Sequence, residues 1–366
     1  MEPVGKRPGR GASRVGVLLV GLIVIASVAS VGAHSRPTCF GKPATIVAGN
    51  GSNRISGTGH NDVIVAGAGN DVIEVNGQGK NHGRDLICAG KGKDQIVGNG
   101  DAEKLSGGPG NDRINGAHGN DLIVGDNYGS SGPTGRDTIL GGFDRDFVVG
   151  DNMARGDVSG QGADWIGGNA GGDKIVGDSA SATGDATGGA SDHVAGATGD
   201  DVVIGDSYAL HGTARGSGDD SHTAANKKGD VDGGPGKDLL VGDDYTGSGT
   251  AIGGGNDSIH SADGGDAGAQ CHGHECDDVQ YGDGFAASCG RGHSIKTILC
   301  QQRATSGGGF DLLTTDQGSD FMNGGLPNNL NASGTRRDRC NGGSGRDFAV
   351  QCEFIYRNVE VRIHLP

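Results

Sequence analysis

Aromatic side chains make up only 4% of the 366 residues, with a single Trp, and hydrophobic residues of all kinds reach only 33%. A bulky core of the kind an ordinary domain of this length buries is therefore excluded. Nine prolines are too few for a polyproline linker. Glutamate is nearly missing, six residues against 39 Asp. Helical proteins favour Glu, whereas the short Asp carboxylate belongs in turns and metal loops, so a helical bundle is excluded as well. Glycine fills the space, 77 residues, without the strict every-third-residue period of collagen. The formal net charge is −15, and loss of residues 1–33, which hold Glu2 and the cations Lys6, Arg7, Arg10 and Arg14, would take it to −18. Such a chain argues against nucleic acid and for cations as partners. Nucleotide loops are absent too: Gly236-Lys237 is followed by Asp238, where a phosphate loop needs Ser or Thr.

The one long apolar run, Val15 to Val31, follows that basic stretch and ends in the small residues Gly32 and Ala33. It predicts a secretory signal peptide over 1–33. An uncleaved anchor is the alternative, because the run approaches the roughly 20 residues that span a bilayer. Export gives the eight cysteines an oxidising setting, where an even number reads as disulfides. Cys340 stands at an inward repeat position twelve residues before Cys352, so this pair is expected to staple the C-terminal end. Cys39 with Cys88 is expected to tie the N-terminal end to the repeats.

The rest of the chain is periodic. Acids recur every nine residues at Asp85, Asp94, Glu103, Asp112 and Asp121, and Ile87, Ile96, Leu105, Ile114 and Ile123 follow two residues behind. The same spacing joins Asp137 to Asp146, Asp164 to Asp173, Asp192 to Asp201, Asp311 to Asp320 and Asp338 to Asp347. The first six residues of each unit form a tight turn. Its glycines are Gly69, Gly92, Gly108, Gly110, Gly119, Gly171, Gly199, Gly234, Gly236 and Gly345. The last three residues form a very short strand with its aliphatic facing inward. One unit buries nothing alone. Two make an 18-residue coil, and coils stacked at about 4.8 Å bring the aliphatics together as a thin core between two parallel sheets. Carboxylates stacked at that pitch repel one another, and hard oxygen ligands in flexible loops suit Ca²⁺ better than octahedral Mg²⁺.

The units GGPGNDRIN from Gly107, GGPGKDLLV from Gly233 and GGSGRDFAV from Gly342 resemble the nonapeptide of the hemolysin-type (RTX) calcium-binding repeat proteins. The resemblance covers roughly residues 49–352. It implies an all-β fold, a right-handed parallel β-roll, with several Ca²⁺ ions held between successive turns by Asp carboxylates and backbone carbonyls. Carried over by position, it implies ligands at Asp71, Asp94, Asp112, Asp137, Asp164, Asp192 and Asp257 along one edge. Along the other it implies Asp62, Asp85, Asp121, Asp146, Asp173, Asp201 and Asp238, and near the C-terminus Asp320 and Asp347. Asn53 in place of the first acid, Glu103 in place of an Asp, and His60 and Asp144 in place of glycines mark turns expected to bind weakly or not at all.

After Asp121 every second turn is enlarged. The steps between Asp121, Asp146, Asp173, Asp201 and Asp238 exceed one coil by 7, 9, 10 and 19 residues. Each enlarged turn opens alike, at Asp126, Asp151, Asp178, Asp206 and Asp243, and these acids either add ligands or cap the turn. The regular-edge strands are apolar on both faces, as at Leu122 and Val124 or Phe147 and Val149. Either the inserts fold over that sheet or it meets a surface partner or a second copy.

GDSYAL at 205–210 looks like a hydrolase serine block, but sister inserts place Asn127, Asn152 and Asp244 where Ser207 stands, so a nucleophile is not expected. CHGHEC at 271–276 has the composition of a zinc site without a zinc-site spacing. The expected order is a cap over 34–48, a regular roll over 49–124, and a roll with enlarged turns over 125–260. A Cys/His-containing insert region over 261–308, terminal repeats over 309–352 and a cap strand over 353–366 follow. A secreted calcium-binding structural or adhesive protein, not an enzyme, fits these features. The alternative is an enzyme or toxin with its site in 261–308.

Overall fold

The computed structural model describes residues 36–75 and 83–220 without a break, and shorter stretches between 231 and 363. The expected signal segment and the CHGHEC stretch lie outside the described residues. Among the described residues every regular element is a strand and there is no helix, as the Asp-rich, Glu-poor composition requires.

Two long parallel sheets of thirteen and twelve strands carry the fold. The chain alternates between them: Arg54–Ser56 joins the twelve-stranded sheet, Val63–Ala68 the thirteen-stranded one, Val72–Glu74 the first again. Each coil thus gives one rung to each sheet, which is the β-roll expected from the nonapeptide. Like stacks on like. In one sheet Ile64, Ile87, Leu105, Ile123, Val148, Ile175 and Val203 are successive partners. In the other, Ile55, Ile73, Ile96, Ile114, Ile139, Ile166 and Val194 pair in turn. All fourteen are buried and form one continuous core. Since side chains alternate along a strand, a slip of one residue would turn every one of them outward, so the register is fixed by burial.

The turns are compressed until backbone meets backbone. A Cβ built on Gly110, at φ +151°, would lie 1.5 Å from the Gly92 carbonyl oxygen. Glycine is required there by the approach of the neighbouring coil as well as by φ.

The enlarged turns form a layer of their own. Met153–Ala154, Ala180–Ser181, Tyr208–Arg215 and Tyr245–Ile252 pair in parallel within an eight-stranded sheet. This sheet and the outer face of the thirteen-stranded one share a second core, with Val149, Val176, Ile204 and Val241 packed with Ala180, Tyr208 and Tyr281. From Val149 to Val241 the apolar outer face is therefore covered by the chain's own inserts, while Val63, Val65 and Leu86, in coils without an insert, are half-buried. Lys174 lies in the same layer, its Nζ 3.3 Å from the centre of the Tyr208 ring, and burial lowers its pKa to about 7.

At the N-terminal end the hairpin Thr38–Cys39 with Lys42–Pro43 is joined to the roll by a disulfide between Cys39 and Cys88, the expected pairing. Phe40 of its turn packs on Tyr128. Ile46–Val47 is the first rung of the thirteen-stranded sheet and Val359–Ile363 the last. Cys340 is disulfide-bonded and buried beside Leu313, Met322 and Ala349; its expected partner Cys352 lies outside the described residues. Within 261–308, Val279–Tyr281 is a rung of the roll between Leu239–Val241 and Phe321–Asn323. Phe285–Ala286 and Thr305–Ser306 extend the insert sheet.

The close approach at Gly110 makes a prediction. Gly110→Ala should lower the thermal midpoint of the calcium-saturated protein by about 10 °C or more. Gly156→Ala, whose Cβ would meet nothing within 4 Å, should stay within about 0.5 kcal/mol of wild type. Equal midpoints for the two variants in calorimetry would contradict this stacking.

Candidate metal centres

Stacking the coils also stacks the acids. On the insert edge the backbone N–H of each acid donates to Oδ1 of the acid one coil on: Asp71 to Asp94, Asp94 to Asp112, Asp112 to Asp137, Asp137 to Asp164 and Asp164 to Asp192, each at 2.7 Å. On the regular edge Glu103, Asp121, Asp146, Asp173 and Asp201 donate in the same way to Asp121, Asp146, Asp173, Asp201 and Asp238, at 2.7–2.9 Å. One oxygen of each carboxylate is thus spent on the ladder.

The other oxygen is the unsatisfied one. Oδ2 of Asp71, Asp94, Asp112, Asp121, Asp137, Asp146, Asp164, Asp173, Asp192 and Asp201 is buried without a hydrogen-bond donor. Backbone carbonyls converge on the same places: a Cβ on Gly107 would lie 2.4 Å from Asp112 Oδ2 and 2.4 Å from Gly125 O, and one on Gly116 2.4 Å from Asp121 Oδ2 and 2.3 Å from Gly141 O. A carboxylate oxygen and a carbonyl oxygen facing one spot with no donor is a cation site in outline, and its all-oxygen donors match Ca²⁺. Among the described residues no group of three His, Cys, Asp or Glu side chains gathers at a point. Pairs of carboxylates with carbonyls are the available ligands.

Three turns supply their own donor. Asn53 Nδ2 donates to the carbonyls of Gly49 and Gly51 and to Asp71 Oδ1, so an amide stands among oxygens of the kind that would ligate an ion. In the Glu103 turn, Asn99 Nδ2 donates to Gly83 O and to Asp85 Oδ2. Asp85 therefore has both oxygens bonded, since Oδ1 accepts from the Asp62 amide. Asp62 Oδ2 accepts from the backbone and hydroxyl of Thr58. The degenerate turns are thus satisfied unevenly: Asp85 has donors on both oxygens and Asp62 on Oδ2, whereas Glu103 Oε1 and Asp146 Oδ2 stand without a donor like the acids of the regular turns.

Burial drives the carboxyl pKa values up, the ladder N–H bonds pull them part of the way back, and the neighbouring carboxylates push them up again. Asp94 is raised to about 6 and Asp112 to about 8, Asp121 to about 8 and Asp146 to about 7. In Asp137, burial is followed by the charges of Asp164 and Asp126, and the value reaches about 10. Without a metal these sites want protons.

Asp320, Gly236 and Cys352 lie outside the described residues, and Asp347 is placed only as the first residue of the strand Asp347–Val350. Asp238 and Asp257 continue the two ladders, accepting from the amides of Asp201 and Asp220. Asp220 was not legible as a ladder acid, yet it accepts from Asp192 and donates to Asp257. His222 stands where the aliphatic two residues behind it should be, which hid it. The acids opening the enlarged turns do cap them: Asp126 accepts from the Gly135 amide, Asp151 from Gly162, Asp178 from Ala190 and Asp206 from Gly218. Ser207 Oγ is buried with no hydrogen-bond partner, so no base among the described residues activates it.

The raised carboxyl values fix the sign of a pH effect. Unfolded, these acids titrate near 3.8; folded and metal-free, they hold their protons to about pH 6–8. Between those limits the folded chain carries more protons than the unfolded one, so metal-free stability is present below pH 4 and is lost as pH rises through the folded values. Circular dichroism of calcium-stripped protein should show β-structure at pH 4 that fades towards pH 8 and returns there with Ca²⁺. A β-signal that grew from pH 4 to 8 without metal would contradict it.

The profile of the RTX calcium-binding nonapeptide repeat matches the chain four times, at residues 45–73, 97–127, 131–152 and 303–329. Among curated proteins none matches the chain. The matched stretches include Asp62, Asp71, Asp112, Asp121, Asp137 and Asp146, whose stacked turns form the ladders, and such repeats bind calcium. The chain therefore carries RTX calcium-binding nonapeptide repeats in these four stretches.

Proposed function

We propose that this chain is an exported structural protein whose roll orders when Ca²⁺ fills the two Asp ladders, and which serves in an envelope, matrix or adhesive layer outside the cell. The observation that carries the reading is the column of buried Oδ2 atoms with no donor. Uncompensated carboxylates in a low-dielectric stack each cost several kcal/mol; at neutral pH protons relieve that cost only in part, since Asp94 and Asp173, raised to about 6, have lost theirs. Asp94, Asp112, Asp121, Asp146, Asp173 and Asp201 would hold the ions together with turn carbonyls. Ca²⁺ supplies the missing positive charge there.

Folding and binding are then one event. Glycine-rich turns are entropically costly to order and the core returns little in exchange, so the metal-free chain at neutral pH stays loose. Extracellular modules are tuned to Ca²⁺ of about 10⁻⁴ to 10⁻³ M, far above cytosolic levels, which lets the chain cross a membrane unfolded and order afterwards. The basic stretch before Val15, the small residues at Gly32 and Ala33 and the Cys39–Cys88 disulfide support export.

A Ca²⁺ titration of the full exported chain, followed by circular dichroism at pH 7.5, tests this reading. We expect a cooperative rise of β-structure. Asp173→Ala, in the middle of the regular-edge ladder, should move the midpoint to higher Ca²⁺ and flatten the transition, while Leu210→Ala on the exposed insert surface should do neither. β-structure that stayed unchanged in excess chelator at pH 7.5, with disulfides reduced, would sink it.

A further inference from the structure

The inserts bury a second set of acids beside the insert-edge ladder. Asp126, Asp151, Asp178 and Asp206 have no exposed surface at all. Asp126 Oδ1 and Asp178 Oδ1 have no hydrogen-bond partner. Asp151 lies within reach of the carboxylates of both Asp126 and Asp178, so the acids form a row of their own. That row borders the ladder: a Cβ on Gly162 would lie 2.5 Å from Asp151 Oδ1, 3.3 Å from Asp164 Oδ1 and 2.3 Å from Gly135 O. Two carboxylates and a carbonyl therefore crowd one point; the Oδ1 atoms there accept from the Gly162 and Asp137 amides, and Asp164 Oδ2 is left without a donor. Among the described residues no Lys, Arg or His hydrogen-bonds to Asp126, Asp151, Asp178 or Asp206, and the buried hydroxyls of Ser179 and Ser207 nearby in the chain also lack partners.

Capping alone does not explain this choice of residue. The cap needs one acceptor for one N–H, which an Asn side chain provides without burying a charge. One position further on, four of the five inserts use neutral residues, Asn127, Asn152, Ser179 and Ser207, and only the fifth has an acid, Asp244. Yet the opening residue is Asp in all five inserts, at 126, 151, 178, 206 and 243. The feature common to the five is the charge.

We propose that Asp151, Asp178 and Asp206, each with the neighbouring ladder carboxylate and a backbone carbonyl, form a second row of divalent-cation sites for Ca²⁺. These sites are made by the inserts and lie outside the nonapeptide turns. The inference rests on the calcium reading of the ladders and extends it: ions in this row tie the insert sheet to the roll, so the outer layer docks only when the metal is present.

The test uses the full chain with Asp151→Asn, Asp178→Asn and Asp206→Asn combined. Asn keeps the acceptor for the amides of Gly162, Ala190 and Gly218 and removes only the charge. Ca²⁺ bound per chain is measured by equilibrium dialysis, and half-saturation by titration. We expect at least about two fewer ions per chain and a half-saturation raised about threefold or more. An unchanged ion count with half-saturation unchanged or lowered, and a more stable metal-free chain, would overturn the proposal and leave the acids as caps that tolerate a charge. If the triple variant does not fold, Asp178→Asn alone gives the same readouts on a smaller scale. Asp94→Asn, in a coil without an insert, separates the two readings. Loss of ions in Asp94→Asn but not in the insert variant overturns the second row alone, and a wild-type chain that binds no Ca²⁺ overturns both.

Discussion

The constraint on which the rest depends is that an in-register parallel stack cannot place its aliphatics over one another without placing its acids over one another as well. The step from Asp to the inward aliphatic is two residues in each regular unit, so the pairing that aligns Ile123 with Val148 also sets the Asp121 amide on Asp146 Oδ1. Core and charge column are two consequences of one register. Slipping the strands to relieve the repulsion would turn the core outward, and spreading the coils would break the ladder bonds. Compensation of the charge is the route the geometry leaves open.

The chain compensates differently along its length. Near the N-terminus Asn53, Thr58 and Asn99 donate to the turn oxygens directly, and Cys39 is linked to Cys88. From Asp94 onward such donors are gone from the ladder, and the buried oxygens stand unpaired, as Oδ2 of Asp71 already does. The first coils hold together by their own hydrogen bonds and a covalent tie, while later coils depend on what the surroundings supply. A stack of this kind has a built-in starting point, since each coil offers its neighbour a template of amides and carbonyls, and order would spread from the self-satisfied end.

Much of this was legible in the amino-acid order, because period and chemistry coincide. Asp-x-aliphatic every nine residues gave the rungs, the inward side chains and the two ladders, and the Cys39–Cys88 link followed from placing one Cys in a cap and the other in a strand. Where the pattern breaks, the reading failed for a physical reason. Asp220 keeps its place through its backbone partners on either side, Asp192 and Asp257, and a ladder position defined by neighbouring coils needs no aliphatic of its own. The amide donors of Asn53 and Asn99 were hidden for a related reason: a residue four or more positions from a carboxylate in sequence fills its site only once the turn has closed.

The insert layer shows how a repeat protein can thicken itself. Inserts that differ in length by up to twelve residues still align, Met153 with Ala180, Ala180 with Tyr208 and Tyr208 with Tyr245, because each leaves the roll and re-enters it at fixed, stacked positions. The extra residues are spent between those anchors, as the pairing of Val158 with Ala186 and Ala186 with Ala214 near the return confirms. A loop anchored at both ends to a lattice with one strand spacing has its neighbours at that same spacing, and backbone groups one coil apart then pair as a matter of course. The apolar outer residues Val149, Val176 and Ile204 give this second sheet a surface to pack on. Anchoring is thus the step that turns loops into a layer. The acids at the root of each insert accept from amides at its return, Gly135, Gly162, Ala190 and Gly218, so one buried side chain closes each loop at the position where the roll resumes.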